Sequence, residues 1–71
     1  MTDHKFLASL GAKIKELRIK KDMSQNDLAI NCNFEKASMS RIEAGKTNIT
    51  ILTLKKISTA LDIEITEFFR N

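Results

Sequence analysis

Residues 23–46 read MSQNDLAINCNFEKASMSRIEAGK. Ser24 is a short hydroxyl side chain suited to cap the free N–H groups of a helix start, and Asp27 stands three residues on, a shorter version of the usual capping-box Glu. Met23 and Leu28 occupy the two positions of a hydrophobic staple. The pattern predicts a helix from Ser24 with Leu28, Ala29 and Cys32 facing inward. Asn31 and Asn33 are poor helix-interior residues and tolerate the left-handed conformation of a tight turn. Phe34 reads as the apolar residue that pins that turn. A second short helix follows from about Lys36 to Ala44, with Met39 and Ile42 inward and Gly45 as its stop. Lys36, Ser38 and Arg41 then fall on its outer side. Two short helices joined by such a turn, over residues 24–44, make helix-turn-helix geometry.

Working outward, Leu7, Leu10, Ile14 and Leu17 recur at spacings of three and four, which predicts a helix preceding this pair. Gly11 inside it disfavours helix relative to Ala and points to a backbone packed close by. On the other side, Thr50 is placed to cap a fourth helix whose inner face is Ile51, Leu54, Ile57 and Leu61, closed by Asp62. Ile63, Ile65, Phe68 and Phe69 predict a short last helix starting near Glu64 or Thr66. The expectation is an all-α fold of five helices, without a sheet, and a single domain over residues 1–71. Composition agrees, with no proline, two glycines and four phenylalanines as the only aromatics.

No apolar run approaches the ~20 residues that span a bilayer, and the start Met1-Thr2-Asp3-His4-Lys5 lacks a signal-peptide pattern. A cytoplasmic location is the expectation. Cys32 is the only cysteine, so no internal disulfide and no cysteine-based zinc site is expected. With one His, one Cys and no phosphate-cradling glycine loop, no catalytic residues, metal or cofactor are assigned. The formal net charge of +3 suits a polyanionic partner without establishing one. Lys13, Lys15, Lys20, Lys21, Lys55 and Lys56 read as a solvated face, Cys32 as a core residue, and His4 as carrying no chemistry.

The stretches IKELR (14–18), MSQNDLA (23–29), SRIEAGK (40–46), TLKKISTAL (53–61) and EFF (67–69) stand in order and near the spacing of one family. From Ile14 to Phe69 the chain resembles the lambda-repressor-like (Xre/Cro-type) helix-turn-helix family. Among its stand-alone members it resembles restriction–modification controller proteins, with phage repressors and small autoregulators nearly as close, and TNIT (47–50) tilts the likeness slightly toward the controllers. The resemblance implies that Lys36, Ala37, Ser38 and Arg41 contact bases. It implies that Ser24, Gln25, Ser40, Lys46, Thr47 and Asn48 contact phosphate, Gln25 being open to a simpler helix-start role. It also implies a buried ion pair between Arg18 and Glu43. The chemistry is compatible: Lys and Arg donate to guanine O6 and N7, Ser pairs with several bases, and Ala can touch a thymine methyl.

Four residues depart from the family pattern. Glu35 stands where a Ser, Thr or Asp cap is usual, so a carboxylate faces the DNA side. Ile49 replaces a frequent proline, while Ile30 and Leu52 fall on positions that are usually polar. The function these features predict is a transcription regulator that binds a two-fold operator in double-stranded DNA as a homodimer. The last segment, Ile65, Phe68 and Phe69, is expected to supply the dimer contact, one Phe filling the core and the other free for the interface. The alternative is an antitoxin-type protein that also grips a toxin. RNA polymerase is the other protein partner considered.

Overall fold

The computed structural model describes residues 2–70. It contains α1 (Asp3–Lys20), α2 (Gln25–Asn31), α3 (Lys36–Glu43), α4 (Ile51–Leu61) and a closing 3-10 helix, Ile65–Phe69. Short hydroxyl side chains start three of the α-helices. Thr2 accepts from the Lys5 N–H at 3.1 Å, Ser24 from Asp27 at 2.9 Å and Thr50 from Thr53 at 3.1 Å. At α2 the capping box is complete, because the Asp27 carboxylate accepts from the Ser24 N–H at 3.0 Å. Each cap satisfies a first-turn donor that the helix itself cannot.

The stops are equally local. Asn33, Gly45 and Asp62 take left-handed backbone, with φ of 60°, 72° and 57°. Asp22 does the same at 61°, a turn that the sequence reading did not single out. Tight left-handed turns keep the connections short and fold the helices back on each other.

The core is drawn from every element. Leu10, Ile14 and Leu17 of α1 meet Leu28 and Ala29 of α2, Cys32 of the turn, Met39 and Ile42 of α3, Leu54, Ile57 and Leu61 of α4, and Phe68. α2 packs on α3 and α4, while α1 packs on α3 and on the 3-10 helix. Phe34 is half-buried against this core, as expected of the residue pinning the turn.

Two expectations need correction. Ile51 is 75% exposed and not inward-facing; it is the first residue of α4, and Ile49, just before the cap, packs on the core in its stead. The short last helix that the sequence predicts is a 3-10 helix. Five residues are too few to propagate i→i−4 bonding, so the tighter i→i−3 pattern closes the chain. Finally, Phe68 is 4% exposed and fully used by the core. It is therefore not free for the expected dimer contact, while Ile65 is half-buried and Phe69 is 55% exposed.

Candidate nucleic-acid interface

The outer face of α3 begins at its first residue. Glu35 is the N-cap, with extended backbone and no side-chain cap bond. Lys36, Ala37, Ser40 and Arg41 are exposed and Ser38 is half-buried. Arg41 Nη2 lies 3.4 Å from Ser38 Oγ, so two of the expected base readers sit side by side. A surface groove runs beside them, lined by Phe34, Ser38, Arg41, Ile42, Thr47, Asn48 and Thr53. Thr47 and Asn48 are thus brought alongside α3, although they come from the loop that follows it. Lys46, exposed, directs its N–H to the Arg41 carbonyl at 3.0 Å, which ties the start of that loop to the helix.

Ser24 reaches the surface at the start of α2. Its oxygen accepts from the Asp27 N–H. The Asp27 carboxyl is held below its ordinary value, first by the Ser24 N–H and then by the Ser24 hydroxyl. It therefore remains ionised, and the box stays closed, at neutral pH.

Beneath this surface lies the ion pair. Arg18 Nε donates to Glu43 Oε2 at 2.7 Å and Arg18 Nη2 donates to Glu43 Oε1 at 3.1 Å. The fork is bidentate and buried, with Arg18 8% and Glu43 9% exposed. Arg18 Nη1 also donates to the Met23 carbonyl at 2.8 Å. Gln25 completes the network: its Nε2 donates to Glu43 Oε1 at 3.1 Å. The half-buried amide is turned inward, a role the sequence reading missed because it depends on where α3 ends in space. One carboxylate therefore joins α1, α2 and α3.

Backbone contact reinforces this joint. A Cβ on Gly11 would lie 2.5 Å from the carbonyl oxygens of both Ile42 and Glu43, and one on Gly45 would lie 2.5 Å from the Ala8 Cα. Only glycine allows α1 and the end of α3 to approach so closely.

The remaining charged groups are dispersed. Half-buried Lys13 and exposed Lys20 flank exposed Glu16 of α1 at 3.7 and 3.5 Å, an arrangement of little energetic weight. Lys56 Nζ sits 5.9 Å from the Phe34 ring centroid. The Cys32 thiol is buried 3.8 Å from the Lys56 carbonyl, and burial pushes it up while the Lys56 charge partly offsets that. A thiol so placed is a core group and not a nucleophile. Among the described residues, no helix is long and apolar enough to cross a membrane.

Comparison with known proteins agrees with the helix-turn-helix fold. The HTH_3 helix-turn-helix family model matches residues 14–68. The control protein C.MunI of a Mycoplasma species is 40% identical over 60 residues, covering 83% of this chain and 81% of that protein. The crystal structure of the restriction–modification controller protein C.AhdI from Aeromonas hydrophila matches with a TM-score of 0.89 and 34% identity, over 92% of this chain and 98% of that one. The controller protein C.Esp1396I, crystallised as a tetramer in complex with its natural 35 base-pair operator, matches with a TM-score of 0.81 and 35% identity, over 89% of this chain and 83% of that one. By its fold, its motifs and these relatives, the chain belongs to the HTH_3 helix-turn-helix family, the lambda-repressor-like group that includes restriction–modification controller proteins.

Proposed function

We propose that this protein is a sequence-specific transcription regulator that binds a two-fold operator in double-stranded DNA as a homodimer, with α3 in the major groove. The observation that carries this reading is the outer face of α3. Lys36, Ala37 and Arg41 are exposed and half-buried Ser38 lies beside Arg41, on a helix whose far end is fixed by the buried Arg18–Glu43 pair. In a helix-turn-helix the first helix crosses the phosphate backbone and the second presents its N-terminal residues to base edges. Ser24, Ser40, Lys46, Thr47 and Asn48 are assigned to phosphate, with the second amide proton of Gln25 as a further donor. The operator complex of C.Esp1396I supports the same use of the fold here.

One copy contacts few phosphates and few bases, and pairing two copies supplies affinity and half-site spacing. For that contact we assign Phe69 and Ile65, joined by Phe6. Phe6, 47% exposed, lines a surface groove with Leu10 and Phe69. Exposed apolar side chains of this kind can pair with their own copies across a two-fold axis.

The test is titration of the protein against a duplex selected from a random pool and against random-sequence DNA, at several salt concentrations. Log affinity is expected to fall linearly with log salt for both, with the selected duplex bound far more tightly. Equal affinity for the two would sink sequence reading.

The antitoxin-type alternative draws on one observation, the exposure of Ile30 (65%) and Leu52 (66%). A few exposed apolar residues are ordinary on soluble proteins, so the DNA reading is preferred. Co-purification of a toxin that Ile30→Glu or Leu52→Glu releases, with DNA binding kept, would favour the alternative.

A further inference from the structure

We propose that Glu35 is a specificity-determining residue, selecting cytosine at one position of each half-site by accepting a hydrogen bond from the base's N4 amine. The proposal rests on the reading of α3 as the helix that enters the major groove.

The first support is what Glu35 does not do. It is the N-cap of α3, with φ −72° and ψ 148°. The caps of α1, α2 and α4 each fold a side-chain oxygen back on to a first-turn N–H. Glu35 makes no such bond, and among the described residues it has no ion-pair partner. Its carboxylate is exposed and unengaged. The other acid of this segment, Glu43, contrasts with it fully, being buried and held by Arg18 and Gln25.

The second support is position. Glu35 immediately precedes Lys36 and Ala37, both exposed. Docking that brings those residues to base edges places the neighbouring, exposed Glu35 within side-chain reach of the groove. A carboxylate at that point repels the phosphates of every sequence alike, so it weakens binding unless the site offers it a donor.

The third support is the chemistry of the groove. Guanine presents N7 and O6, both acceptors, and thymine presents O4 and a methyl group. Neither can satisfy a carboxylate. Adenine offers its N6 amine, but the neighbouring N7 acceptor repels the second carboxylate oxygen. Cytosine offers N4–H₂ with only C5–H beside it, and so meets the carboxylate without a penalty. Lys36 has the opposite demand, donating to guanine O6 and N7. Two consecutive residues of opposite charge would thus read the two edges of G·C pairs, and the like-charge cost at Glu35 becomes discrimination against every other base.

The experiment is selection of bound duplexes from a random pool by the wild type, Glu35→Ala and Glu35→Gln, followed by titration of the wild-type site and its single-base changes. The wild type is expected to enrich cytosine at one position per half-site, and changing that cytosine to thymine is expected to weaken binding about tenfold. Glu35→Ala should lose that penalty and bind random-sequence DNA more tightly. Glu35→Gln should move the preference toward adenine, whose N6 and N7 match an amide. Circular dichroism melts check that both variants fold, as expected for a side chain without intramolecular bonds. Identical base preferences in wild type and Glu35→Ala would overturn the role of Glu35 alone. A wild-type protein that enriches no sequence would overturn the operator reading, and this proposal with it.

Discussion

The two ends of α3 are built in opposite ways. At its C-terminal end Ile42 and Glu43 are buried, the backbone rests against Gly11 and Ala8 of α1, and one carboxylate gathers donors from α1 and α2. At its N-terminal end Glu35, Lys36 and Ala37 are exposed, and the cap makes no side-chain bond. A helix of eight residues is marginal alone, so its stability must come from tertiary contacts. Here they are concentrated at one end, which leaves the polar groups of the other end free to face a ligand. Rigid anchoring at the far end also fixes the direction in which those groups project, and preorganised contacts cost less to bring into a complex.

The contrast is most easily broken at the anchored end. Glu43→Ala removes the acceptor of Arg18 and Gln25 and leaves a buried guanidinium uncompensated, with an expected loss of about 3–5 kcal/mol. A urea or thermal melt measures it. The double variant Arg18→Met/Glu43→Leu should recover much of that loss, because an apolar pair of similar volume avoids the desolvation cost. An unchanged melting temperature for Glu43→Ala would show that the pair does not brace the fold. Next, Gly11→Ala forces a methyl against two carbonyl oxygens and should cost about 1–3 kcal/mol by overpacking, read as a lower denaturant midpoint with an unchanged slope.

Smaller effects sharpen the contrast at the helix starts. Ser24→Ala should destabilise by about 1 kcal/mol, since α2 loses the hydroxyl of its box. Glu35→Ala should leave stability nearly unchanged, because no cap bond is lost. The box also sets a pH dependence. The Asp27 carboxyl is depressed in the folded protein by the Ser24 N–H and hydroxyl, so its contribution is complete above its ordinary value and is lost as pH falls through the depressed one. Melting temperature followed from pH 7 into the acid range should fall less steeply for Asp27→Asn than for the wild type. Smallest of all in stability is Phe69→Glu, at a side chain 55% exposed. That variant should melt like the wild type yet sediment as a monomer. If it remains dimeric and binds its operator normally, the interface lies elsewhere, with exposed Leu52 the next candidate.

What was legible in the sequence was largely what is decided locally. Ser24, Asp27 and Thr50 announce helix starts, and Asn33, Gly45 and Asp62 announce stops, because a capping bond or a left-handed φ involves residues a few positions apart. The spacing of Leu10, Ile14 and Leu17 gave the inner face of α1 for the same reason. The Arg18–Glu43 pair came from family resemblance, since no local rule joins residues so far apart in the chain. The bond from Gln25 to Glu43 was not legible, because it requires the start of α2 to meet the end of α3. Ile51 misled because helical spacing gives an angle around the axis and not the distance at which the core stops. Asp22 was passed over because Lys21 and Asp22 look like ordinary polar surface until α1 has to reverse. Phe68 and Phe69 marked an apolar end to the chain, but only packing decided that Phe68 is the inner one.

The claim that the exposed end of α3 reads bases is tested most directly by comparing Lys36→Ala with Lys46→Ala. Each variant is titrated against a selected operator duplex and a scrambled one across salt concentrations. Lys36→Ala is predicted to cost about 1–3 kcal/mol on the selected duplex, to relax the preference at one base position, and to leave scrambled DNA little changed. Lys46→Ala is predicted to weaken both duplexes alike and to reduce the salt slope by about 1. If Lys36→Ala instead weakened the two duplexes equally, the exposed end of α3 would be a phosphate contact, and the account of base reading would be contradicted.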